Sequence, residues 1–96
     1  MVDPGVGFGK TYELCLETLA RLEDFKVFGL PVLLGTSRKS VIGRTLDLPA
    51  DQREEGTLVT TVLAVMKGIS FVRVHDVEKN VRAIKMAEAI RERSIL

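Results

Sequence analysis

The sequence has few of the features that mark secreted, membrane-spanning or metal-binding proteins. It contains one cysteine, Cys15, so no intramolecular disulfide can form, and its place in a helical pattern is typical of a buried structural thiol. The single histidine, His75, has no second histidine or cysteine at ligand spacing, which argues against a metal site. No apolar run approaches the roughly 18 residues of a membrane span. The N-terminus lacks the basic start and apolar stretch of a signal peptide, so we expect a cytoplasmic protein.

The charges of the chain are nearly balanced. The chain has 14 Lys and Arg residues and 13 Asp and Glu residues, which gives a formal net charge of +1. The net charge therefore does not indicate binding to nucleic acid or membranes. Any attraction for anions must therefore be local. The 96 residues, 46% of them hydrophobic, are typical of one small folded domain and not of a disordered chain.

Hydrophobic periodicity predicts a helix and a strand in the first third of the chain. Apolar residues recur near helical spacing over residues 11–28, and Gly29 and Pro31 end that helix. The predicted stripe consists of Leu14, Leu19, Leu22 and Phe25, widened by Cys15 and Leu16. The continuous apolar run 31–35 is typical of a strand buried on both faces, and a short helix follows over residues 39–46.

The same order is repeated in the rest of the chain. A helix is predicted over residues 52–67, and its centre, residues 58–66, is apolar on almost every side and should be deeply covered. Residues 69–74 form the next predicted strand. A last helix over residues 77–93 has Asp76 as a plausible N-cap. The apolar face predicted for it consists of Val81, Ile84 and Ala87 with Met86 or Ile90.

Alternating strands and helices predict an α/β fold with parallel strands and right-handed crossovers. A full (β/α)8 barrel allots about 31 residues to each unit, so the chain amounts to about three units of a partial TIM barrel. Its first strand is nearly absent, since only Met1 and Val2 precede the first turn. We therefore expect a fragment whose uncovered edges make it self-associate, exchange elements or require the missing part of its parent.

Three polar segments lie where a predicted strand gives way to a helix: residues 3–10, 35–40 and 73–76. In a parallel α/β protein, these strand ends and helix N-termini meet at the edge of the sheet where ligands bind. Together the segments supply a carboxylate, cations, an imidazole and many backbone amides. This set suits an anionic substrate that carries a polar ring. The other charges, residues 53–55 among them, read as solvated helix faces.

The first polar segment narrowly misses two nucleotide-binding motifs. The phosphate-loop pattern requires a glycine where Pro4 stands, and the dinucleotide fingerprint requires one where Lys10 stands. A tight turn whose glycines adopt positive φ explains the segment equally well. That interpretation leaves Asp3 without a role, because Pro4 has no amide for it to cap.

The other two segments concentrate positive charge. Arg38 and Lys39 are adjacent at a predicted helix start, where the positive end of the helix dipole repels them. A bound anion would offset this repulsion. Alternatively, one of the two cations is solvated and the other forms a salt bridge. Arg73 and His75 lie on one face of a strand, because side chains alternate. Such charges at a strand end favour a ligand or partner over a plain structural role.

The motifs DPGVGFGK, GTSRKS and RVHDV, in this order, resemble the dihydropteroate synthase family. The resemblance covers essentially the whole chain. It implies that residues 1–96 are the C-terminal portion of a single pterin-binding barrel domain, corresponding to its last three βα units. Enzymes of that family join para-aminobenzoate to 6-hydroxymethyl-7,8-dihydropterin pyrophosphate and release pyrophosphate, with Mg²⁺ assisting.

The resemblance also implies roles for individual residues. The residues implied in catalysis are Lys39, Arg73 and His75. The pterin would be bound by Asp3, Lys39, Arg73, Gly35 and Phe8. Pyrophosphate would be bound by Arg73 and His75, and para-aminobenzoate by Ser37, Arg38, Phe8 and Lys10. Ligands for Mg²⁺ are not expected in this segment. A homo-oligomer is expected, and the apolar helix around residues 59–65 fits its interface, although a covered position within the barrel layer would give the same pattern.

Two further readings stay open beside the leading one. A related pterin-binding methyltransferase barrel would share much of the pattern, although the Ser-Arg-Lys run followed by Arg-x-His favours a pyrophosphate-bearing substrate. A phosphate-binding or assembly module without catalysis is the other. The family's N-terminal half supplies further pterin and pyrophosphate contacts, so the isolated chain is expected to be inactive or nearly so.

Overall fold

The computed structural model describes residues 1–7 and 9–94, the side chain of residue 94 excepted. Short strands alternate with helices along it. In chain order the elements are α1 (Tyr12–Ala20), a 3₁₀ helix (Leu22–Phe28), β1 (Leu33–Leu34), α2 (Ser40–Leu46), a 3₁₀ turn (Ala50–Gln52), α3 (Glu54–Met66), β2 (Phe71–Val72) and α4 (Val77–Ser94). Within the described residues, none of the helices has both the length and the apolar character needed to cross a membrane.

The strands are parallel, as predicted. Strand β1 pairs with β2, with Leu33 opposite Phe71. The N-terminus lies on the other side of β1, where Val2 forms a parallel bridge with Val32 through hydrogen bonds of 2.8 Å from Val2 N to Pro31 O and from Leu33 N to Val2 O. Three parallel segments therefore lie side by side, and their carboxyl ends lead into the three polar segments.

The first predicted helix is in fact two elements. Thr11 caps α1, since its Oγ1 accepts the amide of Leu14 at 3.2 Å. The α-helix ends at Ala20, because Arg21 leaves the helical conformation with φ −120° and shares its amide between two carbonyls. A 3₁₀ helix then carries Leu22 into full burial. The stripe prediction is wrong for Leu14 and Leu16, which are exposed.

Helix α3 begins later than predicted and is covered on one face only. Its buried residues are Thr57, Thr60, Thr61, Ala64 and Val65. Val59 and Met66 are 67% and 45% exposed, so the prediction of deep cover on all sides is wrong for this chain. Helices α4 and α2 contact α3, and its buried residues recur at intervals of three and four, so they lie on one face of the helix.

Helix α4 has the predicted start and a different buried face. Asp76 caps it, since its Oδ1 accepts the amide of Lys79 at 3.0 Å. The predicted face is wrong at Val81, Met86 and Ile90, which are exposed. The prediction is confirmed at Ala87, which is buried, and Asn80, which was not predicted, is buried as well. Helix α4 thus contacts α3 through a small side chain and an amide that makes hydrogen bonds.

One apolar cluster joins the polar segments to the helices. Its buried members are Val6, Cys15, Leu19, Leu22, Leu34, Val41, Ile42 and Ala64. These residues come from the first polar segment, α1, the 3₁₀ helix, β1, α2 and α3. The cluster therefore holds the first two segments at one edge of the strands, and the predicted burial of the Cys15 thiol is confirmed.

Candidate functional site

The three polar segments meet at the carboxyl edge of the parallel strands. The Lys39 Nζ donates a hydrogen bond to the carbonyl oxygen of Val6 at 2.6 Å. Arg73 Nη2 lies 4.0 Å from Asp3 Oδ2. One carboxylate and two cations from three separate segments thus share a rim, which is what the parallel-strand arrangement predicts.

Asp3 has a structural role that the sequence interpretation missed. Its Oδ1 accepts a hydrogen bond from the amide of Gly5 at 2.8 Å. Pro4 has no amide hydrogen, so the carboxylate caps the amide of the residue after it. Gly5 has φ +74°, which suits glycine. The order Asp-Pro-Gly is the sequence feature that could have predicted this turn. The second oxygen, Oδ2, faces Arg73 and remains at the rim.

Lys39 lies across the first polar segment. Gly7, with φ +90°, has no side chain, and a Cβ there would be 3.3 Å from Lys39 Cδ, so the glycine makes room for the lysine stem. Burial, and secondly the neighbouring Arg73 guanidinium, lower the pKa of Lys39 from its ordinary value, while Asp3 and Cys15 oppose the shift. A lysine held in this way keeps its ammonium ion at the rim at an electrostatic cost that an anionic ligand would reduce.

Arg73 lies over the backbone at the end of β1. Its amide donates to the carbonyl of Leu34 at 2.9 Å, which continues the pairing of β2 with β1. A Cβ at the buried Gly35 would collide with the Arg73 guanidinium. Gly35 is therefore the surface on which the planar guanidinium rests, and this explains why a glycine follows the strand.

Ser37 and His75 form a pair. The Ser37 Oγ lies 2.8 Å from His75 Nδ1 and accepts the His75 backbone amide at 3.1 Å. The serine is buried, whereas the histidine is exposed. Ser37 therefore orients the imidazole ring, a role that sequence reasoning did not assign to it, and its contact with para-aminobenzoate stays a prediction.

The remaining predicted site residues lie at or near the same edge, and one lies outside the described residues. Arg38 is exposed and has φ +57°, unusual for a residue with a Cβ. Lys10 borders a cleft of about 160 Å³, together with Gly7, Tyr12, Cys15, Ser40, Val41 and Arg44. Phe8 belongs to the part of the chain that the structure does not describe.

A buried amide network holds the third polar segment against α3. Asn80 Nδ2 donates to Glu54 Oε1 at 3.0 Å and to the Asp76 carbonyl at 2.7 Å, and its Oδ1 accepts the Thr61 hydroxyl at 2.6 Å. Sequence reasoning missed Asn80, since an asparagine in an early helical turn carries no particular signal. The reading of residues 53–55 as a solvated face is wrong for Glu54, which is partly buried in this network.

The three polar segments thus lie at the carboxyl edge of a parallel α/β sheet, which is where proteins of this fold class bind their ligands. The model of the family described as pterin binding enzyme matches residues 1–75, and the chain belongs to that family. Among curated relatives, dihydropteroate synthase of Clostridium beijerinckii is 57% identical over 91 residues, which is 94% of this chain and 34% of that protein. The Bacillus subtilis dihydropteroate synthase is 51% identical over 90 residues, 94% of this chain and 32% of its own length.

Solved structures agree with this assignment. Dihydropteroate synthase from Clostridium difficile, determined in the presence of pteroic acid, matches with a TM-score of 0.89 at 55% identity, covering 92% of this chain and 34% of that one. The Yersinia pestis enzyme with a pterin–sulfa conjugate matches with a TM-score of 0.91 at 43% identity, covering 94% and 35%. The resemblance drawn from the motifs is confirmed, and the chain spans about a third of the length of these relatives.

Proposed function

We propose that the chain supplies one third of a dihydropteroate synthase, which condenses para-aminobenzoate with 6-hydroxymethyl-7,8-dihydropterin pyrophosphate in folate biosynthesis. The observation that carries the proposal is the meeting of Asp3, Lys39 and Arg73 at one edge. The chain that shows this arrangement is 57% identical to the dihydropteroate synthase of Clostridium beijerinckii and 51% identical to that of Bacillus subtilis over the matched residues.

In this proposal the rim recognises the pterin by complementary hydrogen bonding. The Asp3 carboxylate, an acceptor only, faces the adjacent N–H donors of the aminopyrimidine edge. Lys39 donates to the pterin carbonyl and ring nitrogen. The Arg73 guanidinium, supported by Gly35, stacks on the flat ring, which its planarity allows. Phe8 is the fifth proposed pterin residue.

The proposed reaction is a substitution at the methylene carbon of the pterin. The amino nitrogen of para-aminobenzoate forms a bond to that carbon, the carbon–oxygen bond breaks, pyrophosphate leaves with the electron pair, and the amine loses a proton. Arg73 and His75 stabilise the charge on the leaving pyrophosphate, so positioning and electrostatics matter more than a general base. The proposed para-aminobenzoate residues are Ser37, Arg38, Lys10 and Phe8.

The family's magnesium ion does not fit the residues of this chain alone. Among the described residues, no group of three or more His, Cys, Asp or Glu side chains lies close enough together to hold a metal ion. We therefore assign no Mg²⁺ ligand to this chain and derive no step through the ion.

An open sheet edge supports the proposal that residues 1–96 are part of one (β/α)8 barrel domain. Beside β2 and α4 lies a cleft of about 350 Å³, lined by Val72, Arg73, Val74, Val77, Asn80, Val81 and Ile84. The next parallel strand of a barrel would cover such an edge. On this proposal the chain forms the last three βα units, is inactive alone and belongs to a cytoplasmic, homo-oligomeric enzyme whose copies pack through the exposed face of α3.

A chimera tests the proposed function. The segment of this chain that matches the Bacillus subtilis enzyme replaces the corresponding third of that enzyme, and dihydropteroate formation is measured. We expect turnover, with a loss of about a hundredfold or more for Lys39→Ala or Arg73→Ala and none for the exposed Lys85→Ala on α4. An inactive but folded chimera would contradict the proposal. ATP binding that is indifferent to Asp3→Ala would favour a phosphate-binding module instead.

A further inference from the structure

Two side chains from the start of α3 hold the backbone of Arg38 from both sides. The Arg38 amide donates to Thr57 Oγ1 at 3.1 Å, and Arg53 Nη1 donates to the Arg38 carbonyl at 3.0 Å. Arg38 has φ +57°. The left-handed conformation costs a residue with a Cβ about 1–2 kcal/mol, so these contacts stabilise a conformation that the chain disfavours locally.

Both holding side chains are themselves fixed. The Arg53 Nε donates to the Leu48 carbonyl at 2.9 Å. One guanidinium therefore connects the backbone of Arg38 to that of Leu48, which follows α2. It packs against Gly43, where a Cβ would collide with it. Thr57 is 1% exposed, and its hydroxyl also donates to the Arg53 carbonyl at 3.2 Å. The reading of Arg53 as part of a solvated face is therefore wrong.

The held peptide precedes the lysine at the rim. The Lys39 amide donates to the Thr36 carbonyl at 3.0 Å and closes a turn around Arg38. With Arg38 left-handed, the Lys39 side chain crosses Gly7 and reaches the Val6 carbonyl. If Arg38 relaxed to an ordinary φ, the next peptide would rotate and carry the lysine stem away from this path.

We propose that Arg53 and Thr57 are positioning residues for Lys39: they hold Arg38 in its left-handed conformation and thereby direct the lysine to the rim. The catalytic consequence rests on the function proposed above for Lys39. Neither residue is assigned a contact with substrate. The hydroxyl and the guanidinium act through the Arg38 peptide alone.

The pKa of Lys39 provides a test that does not depend on turnover. Burial lowers it, and the charged or titratable groups that act on it are Arg73, Asp3 and Cys15. In the 96-residue chain, pH-dependent amine labelling read by mass spectrometry reports this pKa. We expect it to rise toward the ordinary value in Thr57→Val and in Arg53→Lys, because the released ammonium moves into water. Thr57→Ser keeps the hydroxyl, so the pKa of Lys39 in this variant should equal the wild-type value.

Thr60→Val is the matched control. Thr60 is also buried on α3, and its hydroxyl donates to the Thr57 carbonyl within the helix at 2.8 Å. This variant should leave the Lys39 pKa unchanged. An unchanged pKa in folded Thr57→Val, or an equal shift in Thr60→Val, overturns the proposal. Loss of folded structure by circular dichroism in both Thr57→Val and Arg53→Lys also overturns it, because the contacts would then serve the fold as a whole.

The chimera adds the functional readout. Misplacing a catalytic group by about 1 Å costs up to a hundredfold, so kcat/KM should fall about ten- to hundredfold in Thr57→Val. Thr57→Ser and Thr60→Val should stay near the unsubstituted chimera. An inactive unsubstituted chimera would refute the proposed function, while the labelling experiment would still decide whether Arg53 and Thr57 position Lys39.

Discussion

At the scale of single residues, the site depends on glycines that make room for cations. Gly35 lies under the Arg73 guanidinium, and Gly7 lies under the Lys39 stem. Both cations lie near one carboxylate, Asp3, so the rim has an excess of positive charge. These two glycines determine where the two positive charges lie, because each leaves space for the cationic side chain beside it.

Gly35→Ala tests the fit between glycine and arginine. The added methyl group meets the far end of a flexible side chain, so we expect Arg73 to move and the free energy of unfolding to fall by no more than about 1 kcal/mol. Affinity of the chimera for pterin pyrophosphate should fall about tenfold or more, since a charged hydrogen-bond donor is lost. Calorimetry measures the affinity.

Gly29→Ala is the control for that substitution. Gly29 ends the 3₁₀ helix with φ +66° and has open space around it. We expect the free energy of unfolding to fall by about 1–2 kcal/mol, at least as much as in Gly35→Ala, while the affinity for pterin pyrophosphate stays unchanged. Equal affinities in both variants would show that the position of Arg73 does not depend on Gly35.

Lys39 makes stability depend on pH in a defined direction. Its pKa in the folded chain is lowered from an ordinary value of 10.5. Below the folded pKa, the charged Lys39 therefore decreases the free energy of unfolding. As the pH rises from there toward 10.5, the folded protein loses its proton first and this decrease disappears.

Comparison with Lys39→Met isolates this effect. The unfolding free energy of the wild type relative to Lys39→Met should increase from pH 7 to 10.5, by less than about 1 kcal/mol because the group is partly solvated. Urea titrations across this range measure the difference. Parallel pH profiles for the two proteins would contradict a lowered pKa of Lys39 in the folded state.

At the scale of elements, α3 connects two of the polar segments. Its first turns bind Arg38 through Arg53 and Thr57, and they bind the start of α4 through Asn80. The helix thus holds the lysine and the histidine segments in one relative position. Two threonines of its buried face, Thr57 and Thr61, make these connections through their hydroxyls. Ala64 and Val65 complete that face, whereas Val59, Val62 and Met66 are exposed.

Asn80→Leu tests the connection between α3 and α4. The leucine leaves Glu54 Oε1 and the Thr61 hydroxyl without the Asn80 side chain as partner, whereas the Asp76 carbonyl keeps the backbone amide of residue 80. We expect a loss of about 1–3 kcal/mol in the free energy of unfolding. Arg82→Ala, which removes the exposed ion pair with Glu78, should change it by less than about 0.5 kcal/mol. Chemical denaturation compares them, and similar losses in both variants would argue against the network.

At the scale of the whole molecule, apolar surface remains uncovered. Val59, Met66 and Met86 are 67%, 45% and 64% exposed, and the edge of β2 borders an open cleft. Exposed apolar area of this kind marks surfaces that contact other chains or other parts of the same domain. The chain is therefore expected to associate in solution.

Sedimentation velocity over a range of concentrations measures this association. We expect oligomers that become monomers when Val59→Asp and Met66→Lys are combined, because the two substitutions place charge on the exposed face of α3. Met86→Lys, on α4, is the control and should leave the oligomers intact. A wild-type chain that stays a folded monomer at high concentration would contradict the expectation.

The sequence by itself determined the order of elements, the parallel α/β class and the three segments that form the site. Periodicity, glycines and caps such as Asp76 act over a few residues, so these features can be read locally. Tertiary structure alone decided which faces of α3 and α4 are buried, the left-handed Arg38, the orientation of His75 by Ser37, and the Asn80 network. Each of these depends on partners 15 to 38 residues away, and no local pattern encodes which of many polar side chains such a partner will be.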